Sequence, residues 1–533
     1  MQRDRRVRIY DAHSWTGISL GLVLFVVCFT GSLAMFYHEI HSWQDPAARL
    51  PAEVAAPVPV DPLFRDWKAE LGDVETTFMA LNYPSAMEPY YHGQINARGE
   101  DGEISFEQRR WNPQTGEVLP ERGEGLATWL RDFHRDLMWP AALGGRQIGR
   151  GLVGIFGIVM MLSIVTGIIT HRKILKEMFT LRRTRSVRVK WKDAHNVLGV
   201  WSLPFSVVMA FTGAWLGIVA LLLPVTGLLV VEGDAEKLLE VLGGDQIVAT
   251  GKPAEMLSLD LVAQRPHSGS DNPPVAVYMT HWGDEAAIYE LQYLPDTELL
   301  YYEPERISGV TGAVLPLTGF LERTPGLRVL GSMAPLHYGL YGGLALKLLY
   351  FALGIALSVM VALGNMVWIE RRLHSAEGSR SPRFYDRLSK LTVGVCLGVV
   401  LASIAIFFVD RLYTGPEESR ITTIGWSYFL VWAAGLIFAF ARRNNYQTTR
   451  LLLAASGFAL MTLPVFNALT SNMMPWTSLQ AGHAASPAVD LALLIFGIGA
   501  VLVAQRMPSS RREREKRRAQ PEAGGAAAPL VSP

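Results

Sequence analysis

Two stretches of this chain place a histidine in the same frame. Residues 11–31 read DAHSWTGISLGLVLFVVCFTG and residues 193–213 read DAHNVLGVWSLPFSVVMAFTG, a repeat at an offset of 182. Each has Asp-Ala-His, a Gly four residues on and a closing Thr-Gly, so His13 and His195 open two apolar runs. A second pair precedes two further runs: His134 in LRDFHRDLMWP and His337 in SMAPLHYGLYGG. Around His134, residues Leu126, Trp129, Leu130, Phe133 and Leu137 share one helical face, which sets the imidazole among apolar side chains. A single histidine there needs only a hydrogen-bond partner, because an unpaired buried polar group costs roughly a few kcal/mol. Two symmetric pairs suggest more. Imidazoles facing across an apolar helix interface suit the axial positions of a haem iron, with the porphyrin filling the gap between helices. His13 with His195 and His134 with His337 would hold two haems b, one near each membrane face. The link would be non-covalent, because Cys28 and Cys396 are the only cysteines and both lie in apolar runs.

Other candidates surround these four. His171 and His374, at the ends of the second and fourth runs, are alternative inner ligands to the haem iron. His38 and His41, with Trp43, read as an interfacial belt. Met279 with His281, and Met473 with Met474, offer soft ligands for copper. Gly17, Gly21, Gly31, Gly199, Gly213, Gly154, Gly157 and Gly354 allow close approach either of helices or of a flat macrocycle. No nucleophile–base set stands out, so no catalytic residue is assigned.

The elements that must position these residues are membrane helices. The 533 residues are 50% hydrophobic and 18% charged, with mean hydropathy +0.21, which places the chain among membrane proteins with some water-exposed mass. A span needs about 20 apolar residues. Eight runs qualify: about 14–37, 147–170, 197–222, 344–369, 390–409, 423–441, 451–470 and 487–505. The first is longer than a signal-peptide core and has a twin in mid-chain, so it reads as a retained helix. The third is expected to tilt or to end near Pro224. Lys and Arg cluster before the first run, in 172–192, after the fourth run, between the sixth and seventh, and in the tail. With eight spans all five clusters lie on one side, which puts both termini in the cytoplasm of a bacterial inner membrane.

The fold class expected is a mainly α membrane protein with eight transmembrane helices, the first four a two-fold internal repeat, and two periplasmic α+β insertions. The N-terminus and first span (1–38) lead into an outside domain (39–146), the second span (147–171) and a basic cytoplasmic loop (172–194). The third span (195–231), a second outside domain (232–343) and the fourth span (344–370) repeat that plan. A loop (371–389), a bundle of four spans (390–506) and a basic tail (507–533), read as disordered, complete the chain. Outside the membrane, 61–72 reads as a short helix, 103–111 as a strand closed by the turn NPQTGEV, and AIYELQYL with LLYYEP as paired strands. No G-x-G-x-x-G after a strand and no P-loop occurs, so the chain has no nicotinamide or nucleotide domain of its own. Electrons from inside would come from a quinol, a reduced flavin or a separate reductase.

The ordered set of motifs resembles the PepSY-associated transmembrane helix family, which includes iron-regulated inner-membrane proteins and ferric-siderophore reductases. His13/Gly17 and His195/Gly199, the Thr-Gly ends at Thr30-Gly31, Thr212-Gly213 and Thr166-Gly167, FHRDL and LHYGLYGG carry the resemblance over residues 8–372. NPQTGEV looks like the close of a PepSY module. The resemblance implies bis-His haem at His13/His195 and His134/His337, and electron delivery to a periplasmic ferric siderophore that releases Fe(II). Two features depart from it: His171 stands where a Trp is more usual, and the second outside domain matches PepSY poorly. Segments around Trp129, Trp139, Tyr338 and Tyr341 are the expected docking surface. The competing class is a membrane-anchored PepSY protein that binds a peptide or peptidase and carries no cofactor. A transporter would call for carboxylates well inside the first four spans, and none occurs there. The lipid bilayer is a partner in every case, and nothing points to nucleic acid.

Overall fold

The computed structural model describes residues 2–513 apart from 51–56, 73, 86–87, 99–103, 121, 123, 172, 183–186, 231–247, 268–271, 296–298, 300–301, 319–323, 374–380, 472 and 511–512. His374 and residues 511–512 and 514–533 of the tail read as disordered lie outside the described residues. The first helices are α1 (Gln2–Ala34), α2 (Tyr37–Gln44), α3 (Val60–Glu70), α4 (Leu126–Asp136), α5 (Gly145–Thr170), α6 (Ile174–Glu177), α7 (Val187–Trp201) and α8 (Leu203–Val230). They are followed by α9 (Leu259–Ala263), α10 (Pro325–Tyr338), α11 (Gly343–Leu373), α12 (Pro382–Leu412), α13 (Arg420–Ala441), α14 (Asn445–Ser471), α15 (Pro475–Gln480) and α16 (Ala485–Arg506). The strands are β1 (Glu75–Asn82), β2 (Tyr91–Arg98), β3 (Ile104–Trp111), β4 (Ala276–Thr280), β5 (Ile288–Tyr293), β6 (Glu303–Ser308) and β7 (Val314–Leu315).

The protein is a multi-pass membrane protein. Among the described residues, seven helices are long and apolar enough to cross a bilayer, and eight if α7 and α8 count as one broken span. That break corrects the expected third span. Instead of one run over 197–222, the chain bends by 68° between Trp201 and Leu203. Pro204 is the cause: it lacks the N–H that would bond the Val200 carbonyl, and its ring crowds that turn. Beyond the bend α8 does not stop at Pro224 but runs on to Val230.

The two outside segments do not fold apart. Their strands form one seven-stranded antiparallel sheet in the order β3-β2-β1-β4-β5-β6-β7. The join is β1 against β4, with Met79 opposite Met279 and Asn82 opposite Ala276. On one face Met79, Leu81, Ile95, Val277, Tyr289, Leu291 and Ile307 bury themselves under α3 and α9, which contribute Val60, Phe64, Trp67, Leu259 and Val262. The two helices cap each other. Asp260 accepts from the Val60 and Asp61 N–H groups (2.7 and 3.2 Å), and Asp61 accepts from the Leu259 N–H (2.9 Å). Met279 is a core residue of this sheet, 1% exposed, which removes it as a copper ligand. The expected pairing of AIYELQYL with LLYYEP is shifted: β5 pairs with 303–308, Tyr293 opposite Glu303 and Ile288 opposite Ser308.

Two helices of the C-terminal bundle, α12 and α13, act on α4. Trp129 and Phe133 of α4 pack against Tyr428 of α13 as tilted ring pairs, with ring centroids 4.2 and 5.0 Å apart. Gly125, the N-cap of α4, has no side chain to close the helix, so the caps come from elsewhere: Asp410 of α12 accepts from the Leu126 N–H at 3.4 Å and Gln44 of α2 from the Ala127 N–H at 2.9 Å. Asp410 is fully buried and pairs with Arg122 (2.8 Å) and Arg420 (3.1 Å). Trp43 is also fully buried, donating to Asp490 of α16 at 2.7 Å, so it is no lipid-belt residue. Asp410→Ala takes the carboxylate from Arg122, leaves Arg420 with Glu417 alone, and leaves the α4 terminus with only the Gln44 cap. A loss of about 3 kcal/mol is expected, seen as a lower unfolding temperature in detergent, with Asp410→Asn less damaging because it still accepts from Leu126. An Asp410→Ala protein as stable as wild type would show that the bundle does not hold α4.

Candidate functional site

The helix packing brings the four repeated histidines together as two pairs. The His13 and His195 ring centroids are 6.4 Å apart with planes at 75°, and those of His134 and His337 are 6.1 Å apart with planes at 18°. His13 stands on α1, and His195 on α7, ahead of the bend; α7 packs on α11. His134 stands on α4 and His337 on α10, at the end that carries the sheet. His134 follows Phe133 by one position, about 100° around the helix. Phe133 and Trp129 therefore face α13 while His134 faces α1, which refines the single apolar face read from the sequence.

Each imidazole is oriented by its Nδ1. His13 donates to the Ser163 carbonyl (3.0 Å) and to Thr166 Oγ1 (3.1 Å) of α5, and His195 to the Met360 carbonyl (2.8 Å) of α11. His134 donates to the Val27 carbonyl (2.9 Å) of α1, and His337 to Thr212 Oγ1 (2.9 Å) of α8. The direction at the threonines is settled by their own hydroxyls, which donate to Leu162 O (2.7 Å) and Val208 O (2.6 Å). The proton is thereby held on Nδ1, and Nε2 keeps its lone pair. Burial pushes the His134 and His337 imidazoles below the ordinary histidine value. His337 falls to about 3, with His134 adding to the effect; the Val27 carbonyl opposes the shift of His134.

The glycines divide by role. A Cβ on Gly31 would stand 2.6 Å from His134 Cε1, and one on Gly213 would stand 3.0 Å from His337 Cε1. On Gly167 and Gly364 it would stand 3.3 Å from His13 Cε1 and 3.2 Å from His195 Cε1. The Thr-Gly ends thus seat imidazoles: glycine makes room for the ring, and at Thr166 and Thr212 the hydroxyl accepts from it. Sequence reasoning noted the recurrence of Thr-Gly and missed this use. Gly154 and Gly157 instead pack α5 on α8, near Ile218 and Ala214, and Gly354 meets Ser32 of α1. Gly17, Gly21 and Gly199 line a cavity of about 570 Å³ bounded by His13 and His195. That volume lies within the range of cofactor sites, about 300–1,000 Å³.

The pairs fit a haem iron. With a metal–imidazole bond of about 2 Å and about 1 Å from nitrogen to ring centre, trans imidazoles have centroids about 6 Å apart. Among the described residues no three His, Cys, Asp or Glu side chains gather to hold a bare ion. Two imidazoles fall short of a structural zinc site but suffice where a porphyrin fills the equatorial positions. His171 lines the same cavity. Trp129, expected at a docking surface, is fully buried, whereas Tyr338 and Tyr341 are exposed.

The PepSY-associated TM region model matches residues 10–371, so the chain belongs to that family. The uncharacterized protein PA4219 of Pseudomonas aeruginosa is 28% identical over 370 residues, covering 66% of this chain and 88% of that protein.

Proposed function

We propose that this protein is a haem-containing inner-membrane reductase. It takes electrons from a quinol, a reduced flavin or a separate reductase on the cytoplasmic side and passes them to a periplasmic ferric chelate of the siderophore class. In this reading both termini are cytoplasmic, there are eight spans, and the first four form a two-fold repeat with the sheet in the periplasm. The observation that carries it is the paired geometry: two imidazole couples with ring centroids 6.4 and 6.1 Å apart, each ring with Nδ1 engaged and, among the described residues, Nε2 in no hydrogen bond.

His13 and His195 would hold one haem b, and His134 and His337 the other. Bound there, each supplies one-electron chemistry. The chain's own residues hold and insulate. The carbonyls of Ser163, Met360 and Val27 and the Thr212 hydroxyl fix the imidazoles and raise their basicity. Leu24, Ile164 and Leu357 line the inner cavity and exclude water. His134 meets α1 at Val27 and Gly31, some 16 residues beyond His13, so the two couples stand about 24 Å apart along that helix. That spans most of a hydrocarbon core of about 30 Å. One electron converts a tightly chelated Fe(III) to weakly chelated Fe(II), so transfer and docking suffice, without covalent catalysis.

An optical spectrum of detergent-purified protein from haem-replete cells, with a pyridine haemochrome count, tests this. About two b-type haems per chain with sharp bands on reduction are expected, followed by reduction of a ferric siderophore. A colourless protein would overturn the reading and favour the peptide-binding anchor.

A further inference from the structure

The inner cavity is lined by His171, Asn365 and Trp368 as well as by the histidine couple. Among the described residues His171 Nδ1 and Nε2, Asn365 Nδ2 and Trp368 Nε1 are buried without a hydrogen-bond partner, and so is Ser163 Oγ on the same wall. The nearest anion to His171 is Glu177, whose Oε2 stands 3.9 Å from Nε2, too far for a hydrogen bond. Unpaired buried donors are rare in native proteins and point to an absent partner. An indole N–H and an amide NH₂ can only donate, so that partner presents acceptors.

The placement is two-fold. His171 lies four residues beyond Gly167, and Trp368 four beyond Gly364, and those two glycines face the His13 and His195 rings. One helical turn past each of these glycines, at the C-cap of α5 and on α11, an unpaired N–H therefore lines the cavity. Tyr10, Lys173 and Lys192 line the same region. The ligand that matches carries two anionic acceptor arms, one for each side.

We propose that His171 and Trp368 form a twin donor station for the two carboxylates of the tetrapyrrole held between His13 and His195. Its carboxylate edge then faces the ends of α5 and α11, with Asn365 beside it and Lys173 and Lys192 completing the charge balance. This rests on the haem reading above and adds the orientation of the group and the residues that set it.

The test is release of the inner haem from the full-length protein to excess apomyoglobin. Trp368→Phe and His171→Phe remove the donors and keep aromatic bulk. Each is expected to speed release about tenfold, and the double variant more, while the outer haem is retained in the same sample and reports that the protein is folded. Trp15→Phe, at a tryptophan that packs on Trp368 without lining the cavity, should leave release unchanged. In wild type reconstituted with haem dimethyl ester, release should match the double variant. A double variant that releases haem at the wild-type rate, or an ester held as tightly as the free acid, overturns the assignment. A wild-type protein without haem overturns the reading beneath it.

Discussion

Replacing His134 or His337 with alanine is expected to remove one of two haems per chain and to lower ferric-siderophore reduction by about 100-fold or more. The reason is geometric. The two rings lie nearly parallel with centroids 6.1 Å apart, so both imidazoles together would hold the group and neither would suffice alone. The fold should survive, because the buried side of α4 is held by Trp129, Phe133 and the Asp410 cap rather than by His134. His13→Ala and His195→Ala should remove the other haem and leave the sheet-end one in place. Haemochrome counts on the four variants check this. Two haems retained in both His134→Ala and His337→Ala would remove these residues as ligands.

The second large effect needs no change to a ligand. Gly31→Ala should cost the outer haem about 10–100-fold in affinity, the range expected when a ligand's supporting contacts are lost. A Cβ there would stand 2.6 Å from His134 Cε1, with Nδ1 and Nε2 at 2.8 and 3.1 Å, so the whole ring must move. It cannot move freely, because Nδ1 is tied to the Val27 carbonyl on the same helix. Gly213→Ala, at 3.0 Å from His337, should act in the same direction and more weakly. Gly326→Ala on α10, where a Cβ meets nothing within 4 Å, is the control. Haem content and the reduced spectrum of each variant decide it. A Gly31→Ala protein with a wild-type outer haem would mean the imidazole sits elsewhere in the loaded protein.

The two halves of the molecule differ in what their sequences disclose. Apolar length and the repeated histidine frame are local and periodic properties, so the spans and the four histidines stand out without a structure. Met279 and Trp43 mislead for the same reason. Each looks like a surface ligand or an interfacial residue until the partner that buries it, β1 in one case and α16 in the other, is brought in from a distant part of the chain. His171 and Trp368 could be paired by their glycine register, but their unpaired nitrogens appear only when helices close the cavity around them.

By itself the sequence determined that this is a membrane protein with several apolar runs long enough to span, and that His13, His195, His134 and His337 recur in two matched frames. It did so because burial in a bilayer and helical periodicity act on neighbouring residues. The tertiary structure alone decided that both outside segments build one sheet, since the β1–β4 pairing joins residues about 200 apart. It also decided that Thr-Gly seats an imidazole, that Pro204 bends the third span, and that α12 and α13 clamp the helix carrying His134. Each of these depends on which backbone or side chain arrives from elsewhere in the fold, and no local pattern encodes that arrival.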